Sequence, residues 1–292
     1  MKERRKILFY GNCQLCTLSN YFEKNLAEEF EVIDPTVCGM SRGFLDSKCF
    51  RVWSPQPGWK FNEANINKIH EQIKNCDIFI FQSHSGGLTP PTLHTEFLQR
   101  EVIKGKSICL HNFTESFYCF NEQQNFVGIV EHCLDSNLTA PHTLDYILNT
   151  NDVWCEDYIN SLRDKSRSLN DRWAKRDASL YNDHITMNDF IEDKYKEHYL
   201  CYMNQHPTEV YFEELIKRLL IKLDINYDPA TITNLRVSGG YVDPFKCNIF
   251  NVMFPNLQIP DHSLARNNEY NINLLPLTIE DIEHIKKDYL KR

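Results

Sequence analysis

Lys6-Ile-Leu-Phe-Tyr10, followed at once by Gly11-Asn12-Cys13-Gln14, is the stretch that decides how this chain is read. The apolar run over 7–10 predicts a buried strand, and Gly11 predicts a sharp turn. Leu15, Leu18, Tyr21, Phe22 and Leu26 then recur at helical spacing, which predicts a helix over 15–27. Cys13 therefore stands at a helix N-terminus, where unpaired N–H groups and the positive end of the helix dipole gather. Such surroundings favour thiolate, the nucleophilic form. The same N–H groups can hold a developing oxyanion. Strand, tight turn, nucleophile and helix together make the layout of a nucleophile elbow. The competing reading is a buried, inert thiol.

Outward from this point the first 150 residues alternate strand and helix. Strands are expected at 30–33, 77–82 and 106–110, and helices at 66–73 and 93–102. This pattern predicts an α/β fold with a parallel sheet flanked by helices, of SGNH or flavodoxin type. Ligands on such sheets collect at the carboxyl ends of the strands. Gly11-Asn12-Cys13 and Gln82-Ser83-His84-Ser85-Gly86-Gly87 both follow strands, so both are expected at that edge. The charged stretch over 152–196 reads as a helical insertion, with helices near 158–164 and 187–195. Residues 212–223 form a strong amphipathic helix. Residues 228–292 read as a loop-rich C-terminal extension, with turns at Gly239-Gly240, Asp243-Pro244, Phe254-Pro255 and Ile259-Pro260. A closing helix over 278–290, capped by Thr278, is expected at its end. We expect a single domain over 1–292, its core at roughly 6–150 and 197–225.

The 292 residues carry 42% hydrophobic and 25% charged side chains and a net charge of −8. That balance fits a globular enzyme and argues against nucleic acid as a partner. No apolar run approaches the roughly 20 residues that span a bilayer. The charged start Met1-Lys-Glu-Arg-Arg-Lys6 precedes only about five apolar residues, too few for a signal peptide. A cytoplasmic protein is expected. The 11 cysteines fit that reading: they are odd in number and dispersed, several in apolar segments such as Cys76, Cys109 and Cys133. They do not suggest a disulfide framework. The sequons at Asn112 and Asn137 are then expected to be unused.

Cys13-Gln-Leu-Cys16 is also a CxxC pair, which could exchange thiol and disulfide. No ligand spacing for zinc accompanies it, and Cys109-Leu-His111 alone would be a poor site, so no metal is expected. Met203-Asn204-Gln205-His206-Pro207-Thr208 is the second informative segment. Thr208 is expected to cap the following helix, with Glu209 in its first turn. His206 just ahead of that helix should be held neutral and able to accept a proton. His84 and His111 are rival candidates for the base. Gln82 could donate to an oxyanion. Arg163, Lys165, Arg167, Arg172, Lys175 and Arg176 could bind phosphates, although a solvated helix face is the simpler explanation.

Gly11-Asn12-Cys13-Gln14 after a first strand, a strand ending in Gln82, and Asn204-Gln205-His206-Pro207-Thr208 before a long helix resemble the WcbI family of capsular polysaccharide biosynthesis proteins. The resemblance runs in order over roughly 6–223. It implies an SGNH-like layout with cysteine as nucleophile, coenzyme A as acetyl donor, and transfer to a sugar hydroxyl or amine. It implies Cys13 and His206 as catalytic residues, with Gly11, Asn12, Gln14 and Gln82 lining the site; His84 and Asn204 are expected beside them around oxyanion and substrate. A sugar, nucleotide-sugar or polysaccharide acceptor and glycosyltransferase partners follow from the same resemblance. The chain departs from it in three places. Gln205 stands where many members carry asparagine. The segment over 109–125 lacks a proline-rich pattern. Met203, three residues before His206, stands where SGNH relatives place an acid. Two other functions compete: a cysteine esterase or deacetylase, and a non-catalytic accessory protein that binds coenzyme A or glycan.

Overall fold

The structure is a computed structural model describing residues 3–52, 59–84, 86, 89–113, 153–203, 206–228, 232, 235, 237 and 258. The turns and helix expected beyond 239, together with Asn204, Ser85, Gly87 and the Asn137 sequon, lie outside the described residues. The described chain divides into two compact units. The first holds 3–113, 171–189 and 209 onward to 237. The second holds 153–170, 190–203, 206–208 and 258.

The first unit is built on a six-stranded, all-parallel sheet. Its strands are β1 (Arg5–Tyr10), β2 (Phe30–Val32), β3 (Cys49–Phe50), β4 (Ile78–Gln82), β5 (Lys106–Leu110) and β6 (His184–Ile185). β4 sits at the middle, and all five of its residues are buried. Burial on both faces is why it reads as an unbroken apolar run rather than an alternating one. Around β1 the chain changes direction. β2 and β3 pair along one of its edges, the first beside Arg5–Ile7 and the second beside Phe9–Tyr10. β4 pairs along the other edge. The carboxyl end of β1 is thus the switch point, where a crevice between diverging connections is expected.

Helices α1 (Cys13–Asn25), α2 (Glu63–Asn75) and α3 (Thr95–Glu101) connect the early strands. Asn12 caps α1: its side chain accepts from the Gln14 N–H at 2.8 Å. Leu15, Leu18 and Phe22 are buried on α1, and Phe22 meets Phe9 of β1 edge to face at 5.2 Å. Asn62 caps α2 in the same way, and Ile69 and Ile73 enter the core. Phe79, Phe81 and Tyr181 form a continuous ring contact inside the unit, with centroids 5.1 and 4.9 Å apart.

The helical insertion expected over 152–196, with helices near 158–164 and 187–195, is largely helix. One helix, α4 (Val153–Leu180), covers most of that stretch, and α5 (Asn188–Lys194) covers its end. Between them lies β6, which adds to the sheet beside β5. A two-residue strand has no periodicity of its own, and only its partner creates it. The same holds for β3 and for the short antiparallel pair β7 (Cys201–Met203) and β8 (His206–Pro207) in the second unit. Also in the second unit, Arg163 pairs with Glu192 and lies over the Tyr195 ring at 4.8 Å. The amphipathic helix over 212–223 is α6 (Glu209–Lys222), which buries Tyr211, Phe212, Leu215, Ile216, Leu219 and Leu220. Thr208 precedes it, but its hydroxyl is buried without a hydrogen-bond partner, and so supplies no side-chain cap.

Candidate active site

Because all the strands of the sheet run the same way, their carboxyl ends deliver Gly11, Arg51, Ser83 and His111 to one edge. Gly11 is required there by close approach. A Cβ on it would lie 2.7 Å from the Gln82 side-chain oxygen and 2.9 Å from Leu15. Its N–H donates to Phe50 O at 3.1 Å, which fixes the turn against β3.

A closed set of amides then holds the Cys13 loop. The Asn12 N–H donates to Gln82 Oε1 at 3.1 Å, and Asn12 Nδ2 donates to Asn112 Oδ1 at 3.0 Å. Gln82 Nε2 donates to Gln14 Oε1 at 2.8 Å and to Asn112 Oδ1 at 3.3 Å. Gln14 Nε2 donates to Phe113 O at 2.9 Å, and the Phe113 N–H returns to Gln14 Oε1 at 3.3 Å. Gln14 and Gln82 are almost fully buried, at 3% and 1% exposure. Buried amides without partners would cost about 1–3 kcal/mol each, so this network pins three connections, after β1, β4 and β5, in one arrangement. The structure thus brings Gly11, Asn12, Cys13, Gln14 and Gln82 together as one site. Gln82 and the Gly11 N–H, expected as oxyanion donors, give their hydrogens to protein partners here. The amides that bear on the Cys13 sulfur are those of Cys13 and Gln14.

Cys13 is half-buried. Burial pushes its thiol up, and the neighbouring Cys16 pushes it further. Arg51 and the two amides pull the other way but do not overcome these effects. The helix N-terminus acts on Cys13 as the sequence suggests, but desolvation is larger. Cys16, one helical turn on, behaves differently. A hydrogen bond from Cys49 lowers it to about 6 against the cost of burial, with Ser47, the Phe44 backbone and Arg51 assisting. Cys49 is correspondingly raised, by burial first and by Cys16 next.

His84 belongs to a different group in the same unit. Its Nε2 lies 2.9 Å from Thr89 Oγ1, and its ring meets His94 edge to face at 5.9 Å. Burial, then His94 and Arg176, lower it to about 4, so it is neutral at physiological pH. Nearby, the Tyr181 hydroxyl lies 2.8 Å from Thr95 Oγ1. Asp177, buried and hydrogen-bonded to Ser83 and Cys109, is raised by desolvation. His111 is buried, and its N–H donates to Ile185 O at 3.0 Å as a continuation of the sheet. His206 is on β8, in the second unit. Among the cations suggested for phosphates, Arg163 and Arg167 pair with Glu192, and Arg176 pairs with Glu96. Sequence reasoning missed Arg51, Cys49, Asn112 and Phe113. The Asn112 sequon was noticed, but nothing local marks it as a partner of Asn12 and Gln82.

The fold and the site define an α/β protein with a cysteine at the tip of the first strand–helix turn, at the switch point of a parallel sheet. The chain is similar to a solved structure of WcbI, described as a novel polysaccharide biosynthesis enzyme. The two share 15% identity and a TM-score of 0.53, over 99% of this chain and 96% of that one. That structure is the native WcbI protein without a disulfide between coenzyme A and one of its cysteines. The likeness shows the fold. No protein-family model matches the chain, and no curated protein matches it in sequence. Among the described residues no helix is long and apolar enough to cross a membrane.

Proposed function

We propose that the chain is an acyltransferase of glycan assembly that takes an acetyl group from coenzyme A onto Cys13 and passes it to a sugar hydroxyl or amine. The observation that carries this reading is the seat of Cys13. It stands half-buried at the first residue of α1, with its own amide and that of Gln14 bearing on its sulfur, in a fold shared with an enzyme of polysaccharide biosynthesis.

In the proposed reaction the Cys13 thiolate attacks the acetyl thioester carbonyl, and the coenzyme A sulfur leaves with the electron pair of the broken C–S bond. Exchange of one thioester for another is nearly balanced in energy, which suits cysteine with this donor. The Cys13 amide would hold the oxyanion, such a donor being worth about 3 kcal/mol, since the Gln14 N–H is taken by the Asn12 cap. The Gln14–Gln82–Asn112 network keeps the loop in place. His206 is proposed, on its sequence motif, as the base that takes the proton from the acceptor. General-base catalysis of this kind is worth about 10²–10⁴-fold. Arg51, next to the site, supplies positive charge toward the sulfur.

The test is intact-protein mass spectrometry after brief incubation with acetyl-CoA. An adduct of about 42 Da, the mass of one acetyl group, is expected on the wild type and not on Cys13→Ala. In His206→Gln the adduct should form but persist when acceptor sugars are added. Absence of any adduct on the wild type, with no thermal stabilisation by coenzyme A, would overturn the reading and leave a hydrolase or a binding protein in its place.

A further inference from the structure

Behind Cys13 lies a second pair of thiols that acyl transfer does not use. The sulfurs of Cys16 and Cys49 lie 3.9 and 3.8 Å from the same oxygen, the carbonyl of Asn12. They are hydrogen-bonded to each other and almost fully buried, at 1% and 0% exposure. Gly43 closes over them: a Cβ there would lie 2.6 Å from the Cys16 sulfur, 2.7 Å from Ser47 Oγ and 3.3 Å from Arg51 Cδ. Arg51 acts on Cys13, Cys16 and Cys49 alike. The three sulfurs are therefore graded by access, from half-buried Cys13 to fully buried Cys49, beside one guanidinium. None of Cys13, Cys16 and Cys49 is in a disulfide.

We propose that Cys16 and Cys49 are a resolving pair that clears mixed disulfides from Cys13 and ends as a disulfide itself. A nucleophilic thiol open to small molecules is captured by low-molecular-weight disulfides. The Cys13 thiolate attacks one sulfur of such a disulfide, its S–S bond breaks, and one small thiolate leaves. The Cys16 thiolate, one turn away, attacks the Cys13 sulfur and expels the second small thiolate. Cys49 then gives up its proton, which the expelled small thiolate takes, and attacks Cys16. The Cys13–Cys16 bond breaks, and Cys13 departs as thiolate. Two electrons pass from Cys16 and Cys49 to the small disulfide, which becomes two thiols, and Cys13 is returned unchanged. Residence of charge suits this order. Cys16 holds a thiolate near neutrality, because Cys49 donates to it. Once Cys16 is bonded that charge is gone, so two of the causes that raise Cys49 after burial are removed, while Arg51 still lowers it. The pair rests on Cys13 being accessible, not on acyl transfer.

The experiment uses the full chain and oxidised glutathione, followed by trypsin digestion without reductant. Cleavage after Lys6, Lys24, Lys48 and Arg51 puts Cys13 and Cys16 on peptide 7–24 and Cys49 on peptide 49–51. In the wild type, 7–24 joined to 49–51 is expected, without glutathione. Cys16→Ser should keep glutathione on Cys13. Cys49→Ser should stop at a disulfide within 7–24. Cys13→Ser should slow the cross-link severalfold, since the entry thiol is gone. Glutathione held on 7–24 by the wild type as long as by Cys16→Ser, with no cross-link, would overturn the proposal. Equal cross-linking rates in Cys13→Ser would do so too.

Discussion

At the scale of single residues the decisive object is the sulfur of Cys13 and the charges around it. Its thiol sits above the ordinary value because burial and Cys16 outweigh Arg51 and two amides. Less of it is thiolate at neutral pH than in an exposed cysteine, so alkylation of Cys13 by iodoacetamide should accelerate as pH rises, with an alkaline midpoint. Cys16→Ala removes a like charge and should move that midpoint to lower pH. Arg51→Gln removes a compensating charge and should move it higher. Alkylation of Cys13 followed by peptide mass mapping across pH measures both. An unmoved midpoint in Cys16→Ala would show that the Cys16 charge is not felt at Cys13. Sequence alone placed Cys13 at a helix N-terminus, where the dipole dominates expectation. The opposing neighbours were hidden because Cys49 is distant in the chain and reaches Cys16 through the pairing of Cys49 with Phe9 in the sheet.

At the scale of elements the turn between β1 and α1 does two jobs with two residues. Asn12 caps the helix and also ties to Asn112 and Gln82. Gly11 leaves room for the Gln82 side chain. Asn12→Ala loses the cap, about 1 kcal/mol, and leaves partners of a buried network unsatisfied, a further ~1–3 kcal/mol. Gly11→Ala forces Gln82 or Leu15 to shift. Both variants should lower the melting temperature and blunt the reactivity of Cys13, whereas Asn62→Ala, at the cap of α2, should lower stability alone. Calorimetry beside alkylation rates separates the two effects. The elements that declared themselves in the sequence have periodicity or continuous burial, such as β4 and α6. Those that did not are two-residue strands, β3, β6 and β8, made by their partners. The amide network stayed hidden for the same reason: Gln14, Gln82 and Asn112 are polar residues whose burial only the assembled sheet reveals.

At the scale of the first unit, one aromatic line ties early and late chain together. Phe79 and Phe81 of β4 meet Tyr181, which follows α4. Phe81 is fully buried, and Phe81→Ala should cost about 3–5 kcal/mol. Denaturant titration checks this through a lower midpoint at unchanged slope. A loss under about 1 kcal/mol would mean that the site collapses without a cavity. The α/β class was legible here because buried strands and amphipathic helices alternate over the first 110 residues. The segments of the two compact units are interleaved along the chain.

The pairing of β5 with β6 joins Cys109 to His184 and Leu110 to Ile185, about 75 residues apart in the chain. Closing so long a connection costs entropy that grows only with the logarithm of its length; doubling it adds about 0.6 kcal/mol. Loop entropy therefore sets little limit on the length of the stretch over 114–152, whereas Asn112, Phe113, Asp177 and Tyr181 of the same connection are tied to the site and the core. The two residues between Tyr10 and Cys13 have no such freedom. Variation among relatives should accordingly concentrate over 114–152 and leave the first turn alone.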